Sequence, residues 1–368
     1  MDPIIAATHA DPYPYYAQLR AEGGLVFHQG LKLWVASSAA AVAAVLAHPD
    51  CQVRPTTEPV PKTIARGMAG EVFGRLMRMN EGERQRCPRS AIEPGLALID
   101  AEEVRALVSA RLITPNAEGL SKAMFRGPVC VVAALLGFTP AQARVISELT
   151  ADFVACLSPL SHQLQLDCAH EAAEQLRGHF FELLDDSDVQ SPLLNGIRQR
   201  FASSDMEMLI ANLIGMCSQT YEATAGLIGN GLVALIRDQL LLPGDVDAFL
   251  AEVQRLDPSV QNTRRFVAAP CEIDGIHLKS GDTILVMLAS ANRDPQLNDD
   301  PDAFILDRPN RRSFSFGAGR HQCPGQVLAL SIASATLRQI LAINLDLGCL
   351  TWHYRPSLNG RIALFTEA

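Results

Sequence analysis

Cys323 stands in a stretch suited to a metal thiolate. The run from Phe314 to Gly325, FSFGAGRHQCPG, places one thiol in a glycine-punctuated loop just before a helix-forming segment, Val327–Leu341. A thiol at a helix N-terminus feels the positive end of the macrodipole, and Arg320 and His321 add positive charge nearby; both effects lower its pKa. Gly317, Gly319 and Gly325 permit positive φ and close approach of a flat ligand. Such a thiolate suits one metal position that must stay anionic. Taken alone, the loop is equally readable as a buried cysteine in a glycine-rich turn. Its G-x-G is not a dinucleotide fingerprint, because the third glycine and the preceding strand are missing.

Two further groups carry chemistry. Glu252 and Arg255 lie at i,i+3 and share a helix face, where they can pair; alone, that is a surface ion pair worth little. From Met208 to Ile236 the only charge is Glu222, amid Asn212, Gln219, Thr220, Thr224 and Asn230. The run is long enough to span a bilayer, but polar groups in mid-membrane are costly. A helix through the core of a soluble protein is the expectation, its central polar cluster facing something.

The elements that must position these groups are mostly helical. A hairpin is expected at Leu25–His28 and Leu31–Ala36 around Gln29-Gly30, then an Ala/Val helix over Ala39–Ala47 and a loop over Gln52–Ala65. Helical periodicity dominates to about residue 256, with breaks expected at Pro115, Pro128, Pro140, Pro159 and Pro243. Asp245–Leu256 reads as a helix, and Phe266–Leu288 as strands. A proline-rich irregular stretch precedes the Cys323 loop, and Thr351–Thr366 reads as two strands around Leu358-Asn359-Gly360. The small sheet draws on both chain ends, so one domain over 1–368 is expected, with β contributions near 22–36, 261–290 and 350–368.

Composition narrows the field. The chain has 368 residues, 48% hydrophobic and 19% charged, so a sizeable core is expected and disorder is not. A formal net charge of −9 argues against a general nucleic-acid binder. Nine cysteines, an odd number at wide spacing without C-x-x-C, exclude a disulfide framework and a zinc ribbon as good readings. Reduced thiols in a cytoplasmic protein are expected, and no signal peptide is visible at the N-terminus.

FSFGAGRHQCPG resembles the haem-binding loop of the cytochrome P450 family, F-x-x-G-x-x-x-C-x-G, with Phe316, Gly319, Cys323 and Gly325 in place. Glu252-Val-Gln-Arg255 resembles the family's E-x-x-R helix. Pro301-Asp-Ala-Phe304 with Arg308 resembles its P-x-x-F…R stretch, whose arginine completes a charge network. The resemblance implies a mainly α, P450-like fold with a small antiparallel β region, haem b as cofactor and Cys323 as the iron ligand. It implies an O2-dependent monooxygenase fed by a separate ferredoxin and its reductase, with no nucleic-acid or membrane partner. Peroxide-driven oxidation, cyclisation, coupling or dehydration is the alternative chemistry, and a catalytically silent recruitment protein the remaining one.

The same resemblance assigns further residues. Arg265, ten residues before Gly275, and His321 match propionate partners. The third usually comes from H-x-x-x-R; here Gln85 stands where the histidine is expected, with Arg89 four residues on. Arg75, Arg78, Arg84, Arg86 and Arg89, joined by Arg311, Arg312 and Arg320, read either as a solvated helix face or as a basic patch steering an acidic electron donor. Met216, Gln219, Thr220, Ala223, Val260, Gln261 and the Ser357–Asn359 turn, centred on Leu358, are expected to line the substrate pocket. Their polarity points to a small polar or amino-acid-derived substrate.

One departure matters most. The family's long helix usually carries A/G-G-x-D/E-T, and here the matching run is Gln219-Thr220-Tyr221-Glu222-Ala223-Thr224. The acid is present as Glu222, but Ala223 replaces its alcohol partner, and a methyl cannot hold a water or pass a proton. Either Thr224 reaches the role through a helix bulge, or Thr220, Gln219 or the substrate holds the water.

Overall fold

The computed structural model describes residues 1–238, 244–343 and 345–367. Thirteen helices occur among them: α1 Tyr13–Glu22, α2 Ala39–Ala47, α3 Met68–Arg75, α4 Glu83–Leu96, α5 Ala101–Ser109, α6 Ala117–Leu135, α7 Pro140–Phe153, α8 Gln163–Asp185, α9 Pro192–Arg200, α10 Met206–Arg237, α11 Val246–Leu256, α12 Leu288–Asn292 and α13 Gln326–Ala342. The strands are β1 Leu25–His28, β2 Leu33–Ala36, β3 Cys51–Gln52, β4 Thr263–Val267, β5 Cys271–Ile273, β6 Ile276–Leu278, β7 Thr283–Val286, β8 Leu350–Tyr354 and β9 Ala363–Glu367. The mainly α expectation with a small β region holds. No described helix is long and apolar enough to cross a membrane.

Contacts divide the chain into two compact units, both discontinuous in sequence. Unit 1 comprises 1–56, 226–323 and 346–368; unit 2 comprises 57–225 and 324–345.

Unit 1 holds the β structure. A five-stranded sheet runs in the order β1-β2-β7-β4-β3, with β2 parallel to β7 and the other neighbours antiparallel. The β1–β2 hairpin falls where the apolar runs place it, but β2 starts at Leu33 because Lys32 takes a positive φ in the turn. β8 and β9 pair only with each other, so the C-terminal strands do not join this sheet as expected. Val35, Ala36, Ile284, Leu285 and Val286 bury the centre of the sheet. Short alternating runs of this kind suit strands buried on one or both faces.

Unit 2 is helical. Its core gathers Phe73, Leu76, Ile92, Val129, Leu136, Phe153, Leu176, Phe180, Leu213 and Ile332. Prolines punctuate it less than expected. Pro140 sits in the first turn of α7, where its missing N–H costs nothing. Pro128 lies inside α6 and does not end it, because Met124, Phe125 and Val129–Val132 are buried around it. That packing outweighs a helix penalty of about 3 kcal/mol. The break expected at Pro243 lies outside the described residues.

Candidate functional site

In unit 1, two tight turns shape the Cys323 loop. Gly317 and Gly319 take φ of 70° and 66°, conformations closed to most side chains. Gly325 does not need its freedom: it caps α13 with φ of −92°. The Gly317 N–H donates to the Phe314 carbonyl at 2.7 Å, and the Cys323 N–H to the Phe316 carbonyl at 2.8 Å. These bonds fold the loop back on itself and leave Cys323 half-buried. The loop is anchored at its start by Asn292 of α12. The Phe314 N–H donates to Asn292 Oδ1 at 2.7 Å, and Asn292 Nδ2 donates to Ser315 Oγ at 2.7 Å. Ser315 Oγ in turn donates to the Gln254 carbonyl of α11 at 2.7 Å.

Arg320 anchors the loop's other side. Its guanidinium donates to the carbonyls of His48 at 3.0 Å, Pro49 at 3.2 Å and Cys51 at 3.0 Å. The side chain is thereby held at the corner after α2, with neutral carbonyl partners that leave its charge in place. Arg265 lies on β4, nearly buried, and donates to the Arg264 carbonyl at 2.9 Å. His321 sits half-buried in the 3-10 turn Gly319–His321.

A second cluster in unit 1 centres on Glu252, which is fully buried. Arg255 Nη2 and Arg308 Nε donate to Oε1 at 2.7 and 2.9 Å, and Arg311 Nε donates to Oε2 at 2.8 Å. Burial alone would raise the Glu252 carboxyl's pKa; bonds and charge from the three guanidiniums more than offset it and hold it low. The surplus positive charge is spread over carbonyls: Arg255 donates to Pro301 at 2.7 Å and Ala303 at 3.0 Å, Arg308 to Ala303 at 2.7 Å and to Asp299. Arg311 was expected on the surface patch. It belongs here, because the irregular chain after Arg308 turns back over α11.

Gln261 also differs from expectation. It is fully buried, accepting from Tyr16 Oη at 3.1 Å and donating to the Pro258 carbonyl at 2.7 Å. Its side-chain groups are used within the fold, so it offers a substrate nothing. Val260 bridges Gly360, and Asn262 Nδ2 donates to the Leu358 carbonyl at 3.1 Å, which fixes the C-terminal turn beside β4.

In unit 2, α10 is continuous α-helix through Gln219–Thr224, with no bulge. Thr224 is therefore not carried into the position of Ala223; it is 2% exposed. Thr220 Oγ1 donates to the Met216 carbonyl at 2.8 Å and keeps its lone pairs. Met216, Gln219, Thr220, Glu222 and Ala223 are each half-buried. Gln85 is buried on α4, and Arg89 is bonded to Glu93 at 2.8 and 2.9 Å.

Arg78, read from the sequence only as one of the basic-patch arginines, has a setting of its own. The 3-10 turn Met77–Met79 is stapled to α10: the Met77 N–H donates to Asn212 Oδ1 at 2.7 Å, and Asn212 Nδ2 donates to the Arg75 carbonyl at 2.9 Å. Gly215 permits the approach, since a Cβ there would lie 2.9 Å from Leu76 Cδ2. Arg78 is exposed, with Cys156 and Glu222 in its electrostatic surroundings. Among the described residues it makes no hydrogen bond or close ion pair.

Comparison with known proteins now decides the family. The family model described as Cytochrome P450 matches residues 246–343, which contain the Glu252 cluster and the Cys323 loop. Cytochrome P450 monooxygenase PikC of Streptomyces venezuelae is 28% identical over 96% of this chain and 90% of its own. Residues 246–343 are cytochrome P450 sequence, and similarity to P450s extends along the rest of the chain. Putative cytochrome P450 133B2 of Xylella fastidiosa is 34% identical over 54% of each chain. The solved structure of P450 RauA, complexed with a biosynthetic intermediate of aurachin RE, matches the fold with a TM-score of 0.81 at 21% identity, covering 100% of this chain and 98% of that one. P450BioI, in complex with a hexadec-9Z-enoic acid ligated acyl carrier protein, matches with a TM-score of 0.79 at 21% identity, over 97% and 98%.

As a P450, this protein is an oxidoreductase of the haem-thiolate monooxygenase family, which uses O2, an organic substrate and redox partners. The residues of unit 1 are chemically compatible with a haem: a half-buried thiol in a glycine-turned loop, with the Arg265 guanidinium and the His321 ring as candidate donors to carboxylates.

Proposed function

We propose that this P450 is an O2-dependent monooxygenase of a small organic substrate that carries an anionic group, such as an amino-acid-derived carboxylate, with electrons from a separate ferredoxin and its reductase. Arg78 carries the substrate reading. Its exposed guanidinium has no hydrogen-bond acceptor among the described residues, and a bound carboxylate offers a planar, bidentate partner. Glu222 is its charged neighbour, so one cation and one carboxylate face each other electrostatically before substrate arrives.

In this reading Cys323 would ligate the iron of haem b, and Arg265 and His321 would hold propionates; Arg89 and Gln85, on unit 2, are the remaining candidates for a propionate contact. Phe316, Gly317, Gly319 and Gly325 shape the loop. Thiolate-ligated haem supplies the oxygen-activating chemistry when bound. Glu222 carries protons inward. Thr220, with Gln219 beside it, holds the water that an alcohol at Ala223 would hold in relatives. Met216 and Ala223 on unit 2 and, separately, Val260 and Leu358 on unit 1 are the apolar candidates for substrate contact. The absence of that alcohol favours a second reading: chemistry that draws its proton from the substrate itself, as in cyclisation or coupling. Nine cysteines without a disulfide support a reducing, cytoplasmic setting.

A spin-state titration of the haem-loaded protein tests the substrate class. Small carboxylic acids should shift the spectrum, and Arg78→Leu should weaken them by about tenfold or more, the scale of a lost charge-assisted bond. The matched methyl esters should lose little. Equal loss for acids and esters would remove Arg78 from substrate recognition.

A further inference from the structure

We propose that His48, Cys51 and Cys271 form a zinc-class cation site that braces the Cys323 loop. One ligand atom from each residue lies within 4.8 Å of the other two. The donors of a tetrahedral zinc centre stand about 3.6–3.8 Å apart, so side-chain rotation of about 1 Å closes the set. Three elements of unit 1 converge here. His48 caps the C-terminus of α2, Cys51 opens β3, and Cys271 opens β5. Register fixes Cys51, which pairs with Val267 on β4 four residues before Cys271.

The donor chemistry selects the ion. Two thiols and an imidazole suit a thiophilic cation and not magnesium or calcium, which require oxygen ligands. Zn²⁺ would displace two thiol protons to solvent, and the resulting Zn²⁺ with two thiolates is electrically neutral. Water would complete four-coordination, with Asp50 close by. The costs are identifiable. The His48 ring accepts from the Asp50 N–H at 3.2 Å through Nδ1, and that bond is lost whichever nitrogen binds. Burial pushes the Cys51 thiol up to about 12, although Arg265 and Arg320 pull it down. Entry is open, because His48 and Cys271 are only half-buried while Cys51 is fully enclosed.

The link to the haem loop is mechanical. Arg320 grips the carbonyls of His48, Pro49 and Cys51, so the backbone bearing two of the three donors is the backbone that holds the loop. Gly319 lies against the same corner; a Cβ there would stand 3.2 Å from the Leu46 carbonyl oxygen. An ion that fixes His48 and Cys51 therefore fixes the surface on which the loop rests.

The test uses haem-loaded full-length protein, so that Cys323 is engaged. Dialysis against zinc sulfate should leave one zinc per chain. Cadmium should give a sulfur-to-metal charge-transfer band in the ultraviolet that sets the thiolate count at two. Cys271→Ser and His48→Gln, both at half-exposed positions, should weaken zinc binding at least tenfold, while the double variant Cys168→Ser, Cys349→Ser should bind as before. Zinc should also slow haem transfer to an acceptor protein by at least threefold in the parent and not in Cys271→Ser. Zinc binding unchanged in Cys271→Ser and His48→Gln would overturn the site, as would a mass two hydrogens light from a Cys51–Cys271 disulfide. Equal haem-loss rates with and without zinc would overturn the bracing role.

Discussion

Cys323 is one thiol among nine, and only its neighbours distinguish it. Cys217 and Cys156 are buried and pushed up by desolvation, which makes them inert. Cys323→Ser should abolish the red-shifted Soret band of the reduced carbonyl complex, while Cys87→Ser should leave it; a retained band in Cys323→Ser would refute the ligand assignment. On α10 the residue-scale expectation is sharper than sequence alone allowed. An unbroken helix keeps Thr224 buried, whereas Thr220 retains acceptor lone pairs on a half-buried surface. Thr220→Val should lower product formed per reductant consumed by about tenfold, within the range of a lost proton-transfer group. Thr224→Ala should change it little, and the opposite ranking would reverse the assignment. The Cys323 loop was legible because the bonds that fold it back on itself, Gly317 to Phe314 and Cys323 to Phe316, are local; its anchors to Asn292, Gln254 and the corner after α2 are distant in sequence and were not. Arg78 was not: its environment is set by Cys156 and Glu222, and no periodicity in a 3-10 turn indicates where an arginine points.

At the scale of elements, α11 shows where sequence reading succeeds and stops. Glu252 and Arg255 pair because i,i+3 on a helix is fixed by geometry. Arg308 and Arg311 reach the same carboxylate from an irregular stretch whose path no repeat predicts. A comparable network was invisible for the same reason. Arg361 is fully buried against Asp257 at 2.7 Å, which also accepts from Tyr13, and Arg361 donates to the Ala10 carbonyl at 2.9 Å. It ties both chain ends into unit 1. Removing Glu252 would leave three guanidiniums without their anion. Glu252→Ala should cost about 3–5 kcal/mol and lower haem-loaded yield. Arg311→Ala, which removes the most exposed of the three, should cost roughly 1–2 kcal/mol. A stable, fully haem-loaded Glu252→Ala would contradict the network's role. The low Glu252 carboxyl also sets a pH dependence. In acid the unfolded chain binds this proton before the folded one does, so stability rises with pH there. The contribution is complete above the ordinary carboxylate range and is lost as pH falls through the depressed folded value. Urea midpoints between pH 3 and 6 should therefore fall less steeply in Glu252→Gln than in the parent.

For the whole molecule, net charge works against an acidic electron donor: at −9 the protein repels a ferredoxin unless a local field reverses the sign. The broad basic patch expected from the sequence is much reduced. Arg75 pairs with Glu71 at 2.5 Å, Arg89 with Glu93 and Arg311 with Glu252, while Arg78 stays exposed in the 3-10 turn before α4. On α4 the exposed cations are Arg84 and Arg86. Arg86 has Glu83 3.6 Å away, a pair too exposed to quench it. Both arginines stand in the first turns of α4, where positive charge opposes the helix macrodipole and costs a few tenths of a kcal/mol or more each. They weaken their own helix, and under the proposed function an anionic docking partner offsets that cost. Arg84→Glu with Arg86→Glu should therefore stabilise α4 slightly while raising the apparent KM for ferredoxin several-fold. Substrate affinity, read from the spin-state shift, should not move. The parent's rate with ferredoxin should fall as salt rises, because exposed charges are screened over about 10 Å at moderate ionic strength, and the reversed variant should have lost most of that dependence. A rate indifferent to both salt and reversal would exclude α4 from electron delivery.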